Sequence, residues 1–145
     1  MPSATKSVIY FFFETRVTLN DRTGVKKLVS SVFRKEGVKL GSLNYIFCTD
    51  KHLLKINQDF LKHDYYTDII TFELSPKGQP IEGEIYISVD RVRENAVSQG
   101  TSFKQELLRV ILHGALHLCG YKDKTGSQVK QIRQKEEHYL STLNK

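Results

Sequence analysis

The chain has 145 residues, with 22 Lys+Arg against 16 Asp+Glu and a formal charge of +6. That length fits a single domain over residues 1–145 with a core of its own, and 39% hydrophobic against 26% charged residues excludes a disordered or fibrous chain. Two cysteines, Cys48 and Cys119, are too few for a secreted disulfide scaffold and suit a reducing cytoplasm.

Pro2 to Ser7 lacks the charged start of a signal peptide. The β-branched and aromatic run Val8 to Phe13 predicts a buried strand, and it is far short of the ~20 apolar residues that cross a bilayer. No membrane partner is expected. Asp21 is placed to cap a helix through Lys35, with Val25, Leu28, Val29, Val32 and Phe33 on one face. Gly37 and Gly41 punctuate its end. Leu43 to Cys48 reads as a second strand, and Asp50 as the cap of a helix through Phe60 with Leu53, Leu54 and Ile56 inward. Thr67 to Leu74 and Glu84 to Val89 read as two strands of a hairpin around the turn-rich Ser75 to Pro80. Asp90 is the expected cap of a helix that Gly100 ends, and Ser102 with Gln105 forms a capping box for the next. That helix reaches Gly120, and a polar one follows from Ser127 to Leu143. Strands early and helices late predict an α+β fold with a small, four-stranded sheet and five helices.

Lys and Arg gather at Arg16 to Lys39 and at Lys122 to Lys135. Such charge points weakly to an anionic partner such as nucleic acid, because many basic surfaces are only solvated.

The chemistry concentrates at the end of the apolar helix. Between Arg109 and Lys122 twelve residues carry no full charge, and His113 and His117 are the polar exceptions. Their i, i+4 spacing sets them about 40° apart around the axis and ~6 Å along it, so both imidazoles can reach one ion. A third ligand must come from elsewhere. On a straight helix Asp123 would lie ~9 Å beyond His117, out of reach of a ~2 Å metal–ligand bond. Gly120 removes that obstacle, since a left-handed residue there ends the helix and turns the chain back. His113, His117 and Asp123 are therefore the candidate metal ligands. The plainer alternative is a pair of core histidines, an ordinary helix stop and a turn aspartate.

The run His113-Gly114-Ala115-Leu116-His117-Leu118-Cys119-Gly120-Tyr121 resembles the signature of the YbeY family of bacterial, metal-dependent endoribonucleases. Ile56-Asn57, Phe60, Thr67-Asp68-Ile69-Ile70-Thr71-Phe72 and Gly83-Glu84-Ile85 are similar to further family segments, in the same order. The resemblance implies a zincin-like YbeY fold, one Zn2+ per chain, and single-strand-specific RNA cleavage in ribosomal RNA maturation and ribosome quality control. The implied partners are single-stranded RNA, ribosomal RNA precursor and the small ribosomal subunit, in the cytoplasm. Two positions depart from the family. Asp123 stands where the third ligand is usually His, and Leu61 stands where an Arg commonly helps with RNA. Lys62 or His63 is then the candidate replacement cation. Lys would lack the planar fork of Arg.

A three-ligand ion with an open position polarises a phosphoryl oxygen or activates water. Lys62 and Lys122 are candidates to offset developing negative charge, and Asp68 and Glu84 to serve as base or to support ligand imidazoles. Tyr65 and Tyr66 either stack on unpaired bases or simply pack. Two other readings remain. A non-catalytic ribosome or RNA-binding factor would use the metal only for folding, although a structural zinc is usually closed by four protein ligands. A zincin protease would need a Glu after the first His, where this chain has Gly114.

Overall fold

Alternating apolar residues along four short strands build one mixed sheet in the computed structural model, which describes residues 8–63 and 65–143. The segment Pro2 to Ser7, read above for a leader, lies outside them. The order along the chain is β1 (Ile9–Phe13), α1 (Arg22–Lys35), β2 (Leu40–Cys48), α2 (Asp50–Leu61), β3 (Ile69–Glu73), β4 (Ile81–Ser88), α3 (Val89–Gln99), α4 (Phe103–Leu118) and α5 (Gly126–Leu143). The strands lie in the order β1-β2-β4-β3. β2 runs parallel to both β1 and β4, while β3 and β4 form the expected antiparallel hairpin. The α+β expectation of four strands and five helices holds.

Local capping explains where the helices begin. The Asp21 carboxylate accepts from Gly24 N at 3.1 Å, and all five residues expected on the inner face of α1 are buried. At α2 and α3 the caps are Thr49 and Ser88 rather than the expected Asp50 and Asp90. Each has an extended backbone and a short side-chain oxygen that reaches the N–H three residues on. The two aspartates sit in the first turn, one and two residues past their caps, and tie the helix starts together. Asp90 accepts from Asp50 N at 2.9 Å, while Asp50 accepts from Arg91 at 2.7 Å and from Ser88 Oγ at 3.1 Å.

Strand boundaries shift for tertiary reasons. Parallel pairing of Leu40 with Ile81 draws β2 and β4 out by three residues each, to Leu40 and Ile81. Gly41, expected to end the preceding helix region, instead sits at an irregularity in β2, where a Cβ would lie 3.1 Å from Ile81 O.

The main core lies between one face of the sheet and α1, α4 and α5. Leu43, Tyr45 and Phe47 of β2 and Ile85 and Ile87 of β4 point into it, and α4 buries side chains nearly all round. A smaller cluster of Cys48, Leu53, Ile56 and Ile70 joins α2 to the other face. Gly114 presses α4 against the sheet: a Cβ there would stand 2.8 Å from Ile85 Cδ1 and 3.0 Å from Ile69 Cδ1. Among the described residues, no helix is long and apolar enough to cross a membrane.

Candidate metal centre

Helix α4 delivers two imidazoles and then stops. Gly120 takes φ 107°, Gly120 N donates to His117 O at 3.0 Å, and Tyr121 N donates to Leu116 O at 3.1 Å. This is a Schellman closure, and it reverses the chain as the sequence spacing requires. The return brings Asp123 Oδ2 to 3.3 Å from both His113 Nε2 and His117 Nε2. The three donor atoms lie within 4.8 Å of one another. His117 and Asp123 are 25% and 39% exposed at their side chains, so one side of the group faces solvent.

The group rests on a buried polar chain that the sequence did not disclose. Glu136 Oε2 of α5 lies 2.5 Å from His113 Nδ1, and Glu136 is only 1% exposed. A carboxylate can only accept, so Nδ1 carries the proton and the Nε2 lone pair is left for an ion. The other Glu136 oxygen takes Arg109 at 3.0 Å, and Arg109 grips Glu106 through two bonds of 3.0 and 2.6 Å. Burial opposes the Arg109 charge, but Glu106 and Glu136 outweigh it and raise its pKa above the ordinary value. A trace of this chain exists in the sequence. Ile132, Glu136 and Tyr139 follow i, i+4, i+7 spacing, so Glu136 interrupts an apolar stripe.

Beside the imidazoles opens a cleft of about 230 Å³, lined by Asp68, Arg109, His113, Asp123, Arg133 and Glu136 among others. Asp68 belongs here: its carboxylate accepts from Asn95 Nδ2 at 3.3 Å. Burial raises its pKa above the usual aspartate value, against the opposing pull of His113 and Arg109.

The remaining candidates stand elsewhere. Glu84 lies between Gly83 and Ile85, which face the core, so strand alternation turns it to the opposite side of the sheet, where Tyr86 donates to it at 3.3 Å. That placement leaves it out of the group. Lys62 is the left-handed C-cap of α2, exposed, with Nζ 3.4 Å from Asp59 O rather than on the cleft lining. His63 stacks on Tyr65, and Lys122 is exposed beyond Gly120. Tyr65 and Tyr66 are 56% and 54% exposed, with Arg91 over the Tyr66 ring at 5.1 Å. Among the described residues, two cations line the cleft: Arg109, buried and held by Glu106 and Glu136, and Arg133 of α5, 45% exposed at its side chain.

The sequence model of the family described as Endoribonuclease YbeY matches residues 13–144. The chain belongs to the YbeY family. It is similar to the Endoribonuclease YbeY of Cytophaga hutchinsonii, 48% identical over 94% of this chain and 96% of that protein. A second relative of the same name, from Flavobacterium psychrophilum, is 46% identical over 94% and 97%. Among solved structures, the solution structure of TM1509 from Thermotoga maritima matches with a TM-score of 0.65 and 28% identity, over 93% of this chain and 88% of that one. The YbeY assignment and Gly114 together dispose of the protease reading. The residue after His113 has no side chain, and it faces the sheet rather than the cleft.

Proposed function

We propose that this YbeY chain is a cytoplasmic endoribonuclease that cleaves single-stranded RNA in ribosomal RNA maturation and ribosome quality control. Its substrate is ribosomal RNA precursor on or near the small ribosomal subunit. The observation that carries the reading is the convergence of His113, His117 and Asp123 on one point at the mouth of a cleft that also holds Arg133. Two imidazoles and a carboxylate suit Zn2+, and three ligands leave a position open for chemistry. A divalent ion held there supplies Lewis acidity toward a phosphoryl oxygen or water.

The protein's own side chains do the rest. Glu136 keeps the His113 proton on Nδ1 and fixes the ring. Arg133 meets the phosphate, in place of the Arg that Leu61 lacks. Asp68 is the carboxylate positioned to take a proton in the cleft. Tyr65 and Tyr66 offer stacking surfaces for unpaired bases.

The test is single-turnover cleavage of end-labelled single-stranded RNA by the native protein and by His117→Ala, each first shown to be folded. Cleavage by the native protein and loss in the variant supports the reading. Equal cleavage by both would trace the activity to a contaminant. Tight binding without cleavage would leave a ribosomal RNA-binding factor.

A further inference from the structure

A second set of metal-ligating side chains converges at the start of α2. Glu14 immediately follows β1, and its N–H donates to Phe47 O at 2.9 Å, which holds it beside the end of β2. Cys48 is the last residue of β2 and is fully buried. His52 stands in the first turn of α2, whose cap Thr49 accepts from His52 N at 3.2 Å. The segment after β1, the end of β2 and the first turn of α2 thus bring one carboxylate, one thiol and one imidazole within 4.8 Å of one another.

We propose that Glu14, Cys48 and His52 bind a divalent ion of the zinc class, with solvent in the fourth position, as a site separate from His113, His117 and Asp123. The donor set selects the ion. Sulfur and nitrogen donors suit Zn2+, whereas Mg2+ and Ca2+ require oxygen. The arrangement has a floor and an entrance: the sulfur lies beneath, while the side chains of His52 and Glu14 are 42% and 45% exposed.

Three carboxylates act on the sulfur, of which Asp50 is already paired with Arg91 at 2.7 Å. Burial first, then Glu14, Asp90 and Asp50, pushes the Cys48 thiol up to about 12, so without a cation it is an inert thiol. Those same carboxylates favour a cation beside the sulfur, and a coordinated divalent ion displaces the thiol proton. His52 Nδ1 and Glu14 Oε1 are 2.6 Å apart as a hydrogen-bonded pair. Ligands around tetrahedral zinc are roughly 3.3 Å apart for bonds near 2.0 Å. The exposed Glu14 side chain therefore swings outward by a fraction of an ångström on loading. The ion then clamps the ends of β1 and β2 to α2.

Cobalt titration of the full chain under reducing conditions separates this site from the other, because His113, His117 and Asp123 include no sulfur. The native protein, Cys119→Ser and His117→Ala are each expected to develop a thiolate-to-cobalt charge-transfer band in the near ultraviolet. Cys48→Ser loses the band. His52→Ala, a surface change that leaves the buried sulfur in place, requires at least tenfold more cobalt to reach it. Absence of the band in native protein, or its persistence unchanged in Cys48→Ser or His52→Ala, overturns the proposal.

Discussion

His113 Nδ1 and Glu136 Oε2 stand 2.5 Å apart although 23 residues separate them, so α5 decides which nitrogen α4 offers to an ion. Replacing such a partner of a ligating imidazole typically costs 10–100-fold in metal affinity. Glu136→Gln keeps an acceptor for the imidazole, and its zinc affinity is expected to fall about tenfold; for Glu136→Ala the fall is nearer 100-fold. Competition with a chromophoric chelator measures both. Equal affinity for native protein and Glu136→Ala would remove Glu136 from this role.

Gly120 takes φ 107° with no heavy atom near the place a Cβ would occupy, so its requirement is torsional rather than steric. Gly120→Ala should cost about 1–2 kcal/mol in urea unfolding. It should also lower metal content, because the turn that returns Asp123 to the imidazoles depends on it. Full metal content alongside reduced stability would separate the turn from the ligand.

Gly114→Ala sets two effects of similar size against each other. Alanine gains about 1 kcal/mol in helix propensity, while overpacking a core costs about 1–3 kcal/mol. Ile85 Cδ1 would lie 2.8 Å from the new Cβ. We expect a net loss of about 1 kcal/mol, and a smaller loss when the change is made in an Ile85→Val background. Additive effects in that double-mutant cycle would mean that the two side chains do not meet.

Glu36 joins α1 to both the turn and α5. It accepts from Tyr139 Oη at 2.5 Å, Tyr121 Oη at 2.8 Å and Lys135 Nζ at 3.2 Å. Burial disfavours its charge, but hydrogen bonds from Tyr139, Tyr121 and Lys135 prevail and hold its pKa below the usual glutamate value. A carboxyl depressed on folding stabilises the protein above its unfolded pKa, and that contribution disappears as pH falls through the folded value. Glu36→Gln is therefore expected to cost about 1.5–3 kcal/mol at neutral pH. The difference from native should shrink below the ordinary glutamate range. Urea midpoints across pH check this, and a pH-independent difference would contradict it.

Arg133 lines the cleft, whereas Lys62 does not. Removing one preorganised donor to developing negative charge costs about 100–1,000-fold in rate. Arg133 is partly exposed, and solvent screening weakens its charge, so we expect a smaller loss, on the order of tenfold, in single-turnover RNA cleavage by Arg133→Ala. Lys62→Ala should cleave within twofold of native. The reverse ranking would return the role to the α2 loop.

Residues close in sequence carried the parts of this molecule that are readable without coordinates. The inner face of α1, the i, i+4 imidazoles of α4 and the Gly120 stop all follow from helical geometry over one or two turns. Because Asp123 follows that stop so closely, local geometry alone predicted its return. Strand order did not follow, since β2 pairs with β4 across α2 and β3, and parallel pairing leaves no turn signal in the sequence. That same pairing moved the starts of β2 and β4 and placed Glu84 on the far face. Glu136, Arg133 and the Glu14, Cys48 and His52 group also escaped the sequence. Their partners lie on other elements, and a side chain's chemistry there depends on what packing brings against it. A buried carboxylate on a polar helix reads as a solvated charge until α5 is laid against α4.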